Sequence, residues 1–262
     1  MNNRSFWFGY KISLVKRIAL AGILMAIGVI LNKVVQIGYP YIPVPFVRIS
    51  FGGPALIIIS ALLLGPIYGG FIGFMVDLLG YFIFDIKTFG YYPLISTTYL
   101  LLGFIAGLLF GFISKIRNKK INQIIIYSIS GVLFIGLTIL LIFSDKVDFL
   151  SSSYQIQDWM KIVFPILMAL FFVGLVIFLT IYDKKTKDKN NTFIDVYQLG
   201  LVCFILDLFI MTIYGSLMKG LSFGMDLFGI ILITQAMTMF FNIPFNVVLI
   251  TTLSQALKRY MI

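Results

Sequence analysis

About eight stretches of this chain are apolar over the length a helix needs to cross a bilayer, and a bundle of spanning helices is the one economical use of so many. A crossing takes about 20 apolar residues at a rise of about 1.5 Å each. The stretches run from Ile18 to about Gln36, Ile49 to Leu64, Pro66 to Phe84, Tyr92 to Ile113, Ile124 to Phe143, Ile162 to Ile181, Val196 to Met218 and Leu227 to about Leu257. The second is short. The last is too long for one straight crossing, and Pro244 predicts a kink or a break within it. With 60% apolar and only 11% charged residues, the chain cannot enclose this hydrocarbon in a water-soluble globule. The expected fold class is an all-α polytopic membrane protein, a single membrane domain over residues 1–262.

Loop charge sets the expected orientation. Lys11, Lys16 and Arg17 precede the first span; Lys115, Arg117, Lys119 and Lys120 follow the fourth; Lys184, Lys185, Lys187 and Lys189 follow the sixth; Lys258 and Arg259 follow the eighth. With eight crossings all four clusters fall on one side, so both termini are expected in the cytoplasm. The loop from Ser144 to Trp159, on the other side, carries Asp145, Asp148 and Asp158 against Lys146. These basic loops account for the net charge of +10 as a topology signal that meets anionic lipid, with no nucleic acid involved. The first apolar run lacks a small-residue cleavage site before Asn32 and Lys33, so it reads as a retained span rather than a secretory signal.

Absences narrow the chemistry further. The chain has no His and no Glu, which removes zinc motifs built on H-E-x-x-H and Ser-His-Asp triads. No G-x-x-x-x-G-K-[ST] occurs, so the chain has no P-loop of its own for ATP phosphates. The single Cys203 lies in an apolar run and reads as a small buried hydrophobe.

The stretch from Arg48 to Phe110 is the densest in chemistry. Two apolar segments meet at Leu64-Gly65-Pro66, and the second carries Asp77 between Gly73 and Gly80. An ionised group at mid-membrane costs about 2.5 to 3.5 kcal/mol on insertion scales, so it is seldom there without a partner or a task. Gly69, Gly73, Asp77 and Gly80 recur at i, i+4, i+8 and i+11, close to one face of a helix. Close helix packing is a sufficient reason for the glycines. Asp77 has two readings: a structural pair with a hydroxyl such as Thr97 or Thr98, and a ligand acceptor.

The run RISFGGPALIIISALLLGPIYGGFIGFMVDLLGYFIF, followed by GYYPLISTTYLLLGFIAGLLFG, carries G-P-x-x-G, D-x-x-G and Y-P elements in order. In these it resembles the substrate-binding S components of energy-coupling factor (ECF) transporters, and among them the folate-type members. The resemblance implies a six-helix core. Residues 12–114 would then be its first four helices, 121–182 an inserted pair and 194–262 its last helices. It also implies a bacterial plasma-membrane subunit, not an enzyme and without a cofactor, that captures a vitamin, foremost a folate, from outside. A transmembrane coupling subunit and two ATPases would drive its toppling in the bilayer and the release of substrate inward.

On that resemblance the candidate binding residues are Arg48, Phe51, Asp77, Tyr91, Tyr92, Thr98, Gln235 and Asn242. An acceptor-only carboxylate at Asp77 suits the donor-rich edge of a 2-aminopteridine. Arg48 reads either as a bidentate clamp for a carboxylate or as a snorkelling interface residue. Lys33 and Lys87 are outward-side cations that read either as partners of the glutamyl carboxylates of a folate or as ordinary interface residues. Phe89, Gly90, Tyr91, Tyr92 and Pro93 make an aromatic loop that suits a planar heterocycle and equally an interfacial belt. Gln235 and Asn242, seven apart, share a face, for a polar ligand or for bonds between helices. Gly22 and Ala26 form a small-xxx-small pair that the resemblance assigns to the coupling subunit, against packing within the chain. The rival functions are an S component for another vitamin, a secondary transporter using Asp77 or Asp207, a membrane enzyme limited to those carboxylates and tyrosines, and a ligand-free assembly subunit.

Overall fold

The computed structural model describes residues 4–5, 9–10, 13–37, 49–50, 52–85, 90–113, 118–144, 146–149, 152–155, 158–186 and 195–261. A hairpin of β1 (Arg4–Ser5) and β2 (Gly9–Tyr10) precedes α1 (Leu14–Lys33). Next, β3 (Gln36–Ile37) pairs with β4 (Ile49–Ser50) ahead of α2 (Gly53–Leu64). α3 (Pro66–Gly80) runs into a π-wound turn, Tyr81–Asp85, and α4 (Pro93–Ile113) and α5 (Lys119–Phe143) follow. A hairpin of β5 (Lys146–Phe149) and β6 (Ser152–Gln155) leads to α6 (Asp158–Thr186). α7 (Val196–Ile205) passes through a π-wound segment, Leu206–Tyr214, into α8 (Gly215–Phe223), and α9 (Phe228–Met261) closes the order.

Seven helical segments among the described residues are long and apolar enough to cross a membrane, and α2 is a shorter apolar helix. The polytopic all-α class is therefore met, with the second span shorter than its apolar run. It was expected to begin at Ile49, but Ile49 and Ser50 are taken by pairing with β3, and the helix starts at Gly53. Gly52, at φ 94°, adopts a left-handed turn that other residues resist, and Pro54 is suited to the first turn of a helix. Twelve residues give about 18 Å of helix. Every residue of α2 is buried, as befits a helix apolar on all sides. Gly65, at φ 90°, then reverses the chain and Pro66 opens α3. At the other end of the chain α9 continues through Pro244, so the expected break is absent. In a membrane helix neighbouring groups can satisfy the carbonyl that proline frees.

The chain divides into two compact units. The first comprises Met1–Ile37, Arg48–Arg117 and Phe245–Ile262. Its tightest seam joins α3 to α4. A Cβ added at Gly69 would lie 2.5 Å from the Ala61 Cβ and 2.7 Å from the Gly103 carbonyl oxygen, and one at Gly107 would lie 2.5 Å from the Pro66 nitrogen. Added carbons at Gly73 and Gly103 would overlap the carbonyls of Tyr99 and Gly69. α1 joins the same core through Gly28, where a Cβ would meet Val76 at 3.0 Å.

The second unit comprises Gly38–Val47 and Asn118–Pro244. Its helices α5, α6 and α7 are tied at one end by an ion pair between Lys119 and Asp183, with the Lys119 ammonium 5.8 Å from the Tyr197 ring centroid. Further along, the rings of Phe134 and Phe172 stack at 5.7 Å. A Cβ at Gly200 of α7 would meet Ile126 of α5 at 2.7 Å. Cys203 is buried, as its apolar setting predicts.

The seam gives a sharp contrast. Gly103→Ala should lower the stability of the purified protein by about 1 to 3 kcal/mol or abolish folding, because its methyl group meets backbone. Gly131→Ala, which finds nothing within 4 Å, should change it by less than about 0.5 kcal/mol. Thermal unfolding in detergent reads both.

Candidate functional site

The polar chemistry of the first unit converges at the end of α1 that carries Lys33. Ser96, in the first turn of α4, donates its hydroxyl hydrogen to Asp77 Oδ2 at 2.6 Å. Since that hydrogen is used, the Tyr91 hydroxyl is the donor in its 2.8 Å contact with Ser96 Oγ. Lys33 Nζ lies 2.7 Å from Asp85 Oδ2 and 3.7 Å from Asp77 Oδ1. The side chains are 9%, 10% and 15% exposed for Lys33, Asp77 and Asp85, so the ammonium attracts both carboxylates with little screening by water. Oδ1 of Asp77 accepts no hydrogen bond among the described residues; 3.7 Å is an electrostatic contact only.

Local winding explains how two carboxylates reach one ammonium. In a regular α-helix eight residues at about 100° each would leave Asp85 about 80° round from Asp77. The wider π-wound turn over Tyr81–Asp85 advances less per residue and returns Asp85 toward the Asp77 face. Gly80 supplies room for the lysine stem, because a Cβ there would lie 2.6 Å from Lys33 Cε. The Tyr91 ring packs on Tyr81 at 5.1 Å and Phe82 at 6.2 Å between centroids.

Asp77 and Tyr91 are joined through Ser96, a residue the sequence reading passed over in favour of Thr97 and Thr98. Thr97 donates to the Leu94 carbonyl instead. Thr98 is 4% exposed, and its Oγ1 has no hydrogen-bond partner among the described residues. Tyr92 is half-buried and its carbonyl accepts the Ile95 N–H at 3.0 Å, opening α4. Arg48 and Phe51 lie outside the described residues, as do Lys87 and Phe89. In the second unit Gln235 accepts the Ser216 hydroxyl at 2.5 Å, a bond between helices. Asn242 is 8% exposed, with Oδ1 lacking a partner among the described residues. Gly22 and Ala26 are exposed on α1, and a Cβ at Gly22 would find nothing within 4 Å.

Asp85 belongs to the site although it was not among the binding candidates, and Lys33, expected to meet a carboxylate of the ligand or to sit at the interface, is taken up by Asp85 and Asp77. A signal for them exists in the sequence. Lys33 interrupts an apolar span and needs a carboxylate, and Asp77 and Asp85 are the only acidic residues before Asp145. Removing the ammonium leaves both carboxylates buried without it. Lys33→Met should therefore destabilise the protein by about 3 to 5 kcal/mol. Lys16→Met, at an exposed position, should change stability by less than about 0.5 kcal/mol in the same unfolding assay.

The family model for the ECF transporter substrate-specific component matches residues 16–152, more than half of the chain. That stretch runs from α1 through α5 and includes every member of the Lys33, Asp77, Asp85, Tyr91 and Ser96 network. No curated protein and no solved structure matches the chain significantly. The chain belongs to the substrate-specific components of ECF transporters: it is a multi-pass protein of the cell membrane and the substrate-binding subunit of an ECF importer.

Proposed function

We propose that this subunit captures a folate from the external side and holds it at Asp77. The observation that carries the reading is the state of that carboxylate. It is buried, it has an ammonium beside it, and Oδ1 keeps its lone pairs. Such an oxygen accepts from an N–H donor, and the 2-amino edge of a pteridine is rich in donors. The Tyr81, Phe82 and Tyr91 rings beside it offer apolar faces to a planar heterocycle. Thr98, Asn242, Tyr92, Arg48 and Phe51 remain proposed contacts; Thr98 and Asn242 are supported by their buried oxygens without partners. Gln235 remains one through its amide nitrogen, its oxygen being bonded to Ser216.

Transport then follows from partners rather than from this chain's own chemistry. With no P-loop in the sequence, the energy comes from two ATPases acting through a coupling subunit. Gly22 and Ala26 are the proposed contact with that subunit, supported by their exposure and by the empty space over Gly22. Small residues facing outward let a partner helix approach closely. We assign α5 and α6 as an addition to a six-helix core. In their membrane-spanning windows 17% of residues are buried, the lowest share among the candidate spans, which otherwise run from 22% for α1 to 61% for Val196–Phe223.

Thermal shift across folic acid, 5-formyltetrahydrofolate, riboflavin, thiamine, biotin and pantothenate tests the substrate. A ligand at 100 times its Kd adds about 2.7 kcal/mol to the folded state. A shift with folates that Asp77→Ala removes is the expected result; a shift with another vitamin alone replaces folate, and none at all in folded protein refutes vitamin capture. Gly22→Leu should leave that shift intact while abolishing copurification with the coupling subunit, and retained copurification would assign Gly22 to lipid.

A further inference from the structure

The unequal distances around Lys33 have a functional consequence. An ammonium carries three N–H donors on a flexible stem, and nothing in the chemistry of lysine prefers one aspartate to another. Yet the hydrogen bond goes to Asp85 at 2.7 Å and the contact with Asp77 stops at 3.7 Å. Two features of the fold produce this asymmetry. The π-wound turn brings Asp85 round to the lysine, and Gly80 beds the stem from Cγ to Cε. Ser96 meanwhile occupies Oδ2 of Asp77 and fixes the plane of the carboxylate, leaving Oδ1 as the face without a hydrogen bond.

We infer that Asp85 is a positioning residue: by holding the Lys33 ammonium it keeps that ammonium from closing on Asp77 Oδ1, so Oδ1 stays open to an N–H donor of the substrate. The inference rests on the reading of Asp77 as the substrate acceptor. Three groups then divide one task. Lys33 supplies the charge that lets a carboxylate exist at this depth, Ser96 orients it, and Asp85 keeps the charge from occupying the oxygen it supports. Without Asp85 the nearest anionic acceptor for Lys33 among the described residues is Asp77 itself, and a direct charge-assisted bond would form where the substrate has to bind.

The site should therefore select ligands by an N–H donor, and Asp85 should set how strongly. The test compares folic acid with its 2-desamino analogue in wild type, Asp85→Asn and Asp85→Glu, alongside the structure of ligand-free Asp85→Asn. Wild type should prefer folic acid by at least tenfold, as expected when a buried acceptor loses its donor. Asp85→Asn should reduce that preference to near unity with Lys33 now within hydrogen-bond distance of Asp77, and Asp85→Glu should restore most of it. A residue that only stabilised the fold would change both ligands' affinities alike and leave their ratio intact, which would overturn the inference. If wild type binds no folate, the folate reading falls, and the ligand-free structure still decides: closure of Lys33 onto Asp77 upholds the positioning role, and a gap that persists refutes it. Should Asp85→Asn fail to fold, Asp85→Ser carries the same comparison.

Discussion

α3 and α4 touch backbone to backbone because successive positions along their seam carry no side chain, and this contact fixes the height at which every later group meets. The pairs fall in step: Pro66 with Gly107, Gly69 with Gly103, Gly73 with Tyr99. One more turn along each helix brings Asp77 opposite Ser96, where the 2.6 Å hydrogen bond forms. The glycines are thus part of the site's geometry through the register they set. A side chain at any of them would push the helices apart or shift their register, and the hydroxyl would no longer meet the carboxylate.

Charge inside the membrane is the second constraint. A lone carboxylate or ammonium at this depth is costly, and a pair that satisfies itself fully leaves nothing for a ligand. The first unit avoids both extremes. Lys33 is bonded to one aspartate and merely near the other, so the network is stable enough to exist and still has an acceptor. On the proposed reading the acceptor is already oriented by Ser96 before the ligand arrives, which lowers the ordering cost of association.

Much of this was legible in the sequence, and the reasons differ by element. The apolar runs gave the crossings because length and hydropathy are what a bilayer selects. The glycine spacing on α3 and the isolation of Asp77 pointed to the tight seam and to its charge. The short start of α2 was misjudged because Ile49 opens the apolar run, Ser50 is too small a break to end it, and nothing local announces their pairing with Gln36 and Ile37. Ser96 was hidden among hydroxyls at consecutive positions, and only the register of α3 against α4 selects it from Thr97 and Thr98. The π-wound turns have no pattern in the residues, so the alignment of Asp85 with Asp77 could not be read, although a lysine in an apolar helix and only two acidic residues in the first half of the chain limit its possible partners there. Gln235 and Asn242 share a face as their spacing required, but spacing could not say that Ser216 would engage the first.

The measurement that bears most directly on this account is a structure of the subunit with a bound folate, at a resolution that places the ligand's amino group. An N–H donor is expected within hydrogen-bond distance of Asp77 Oδ1, with Lys33 still bonded to Asp85 and Ser96 still donating to Oδ2. A ligand bound elsewhere, with the Asp77 network unchanged and unvisited, would contradict it.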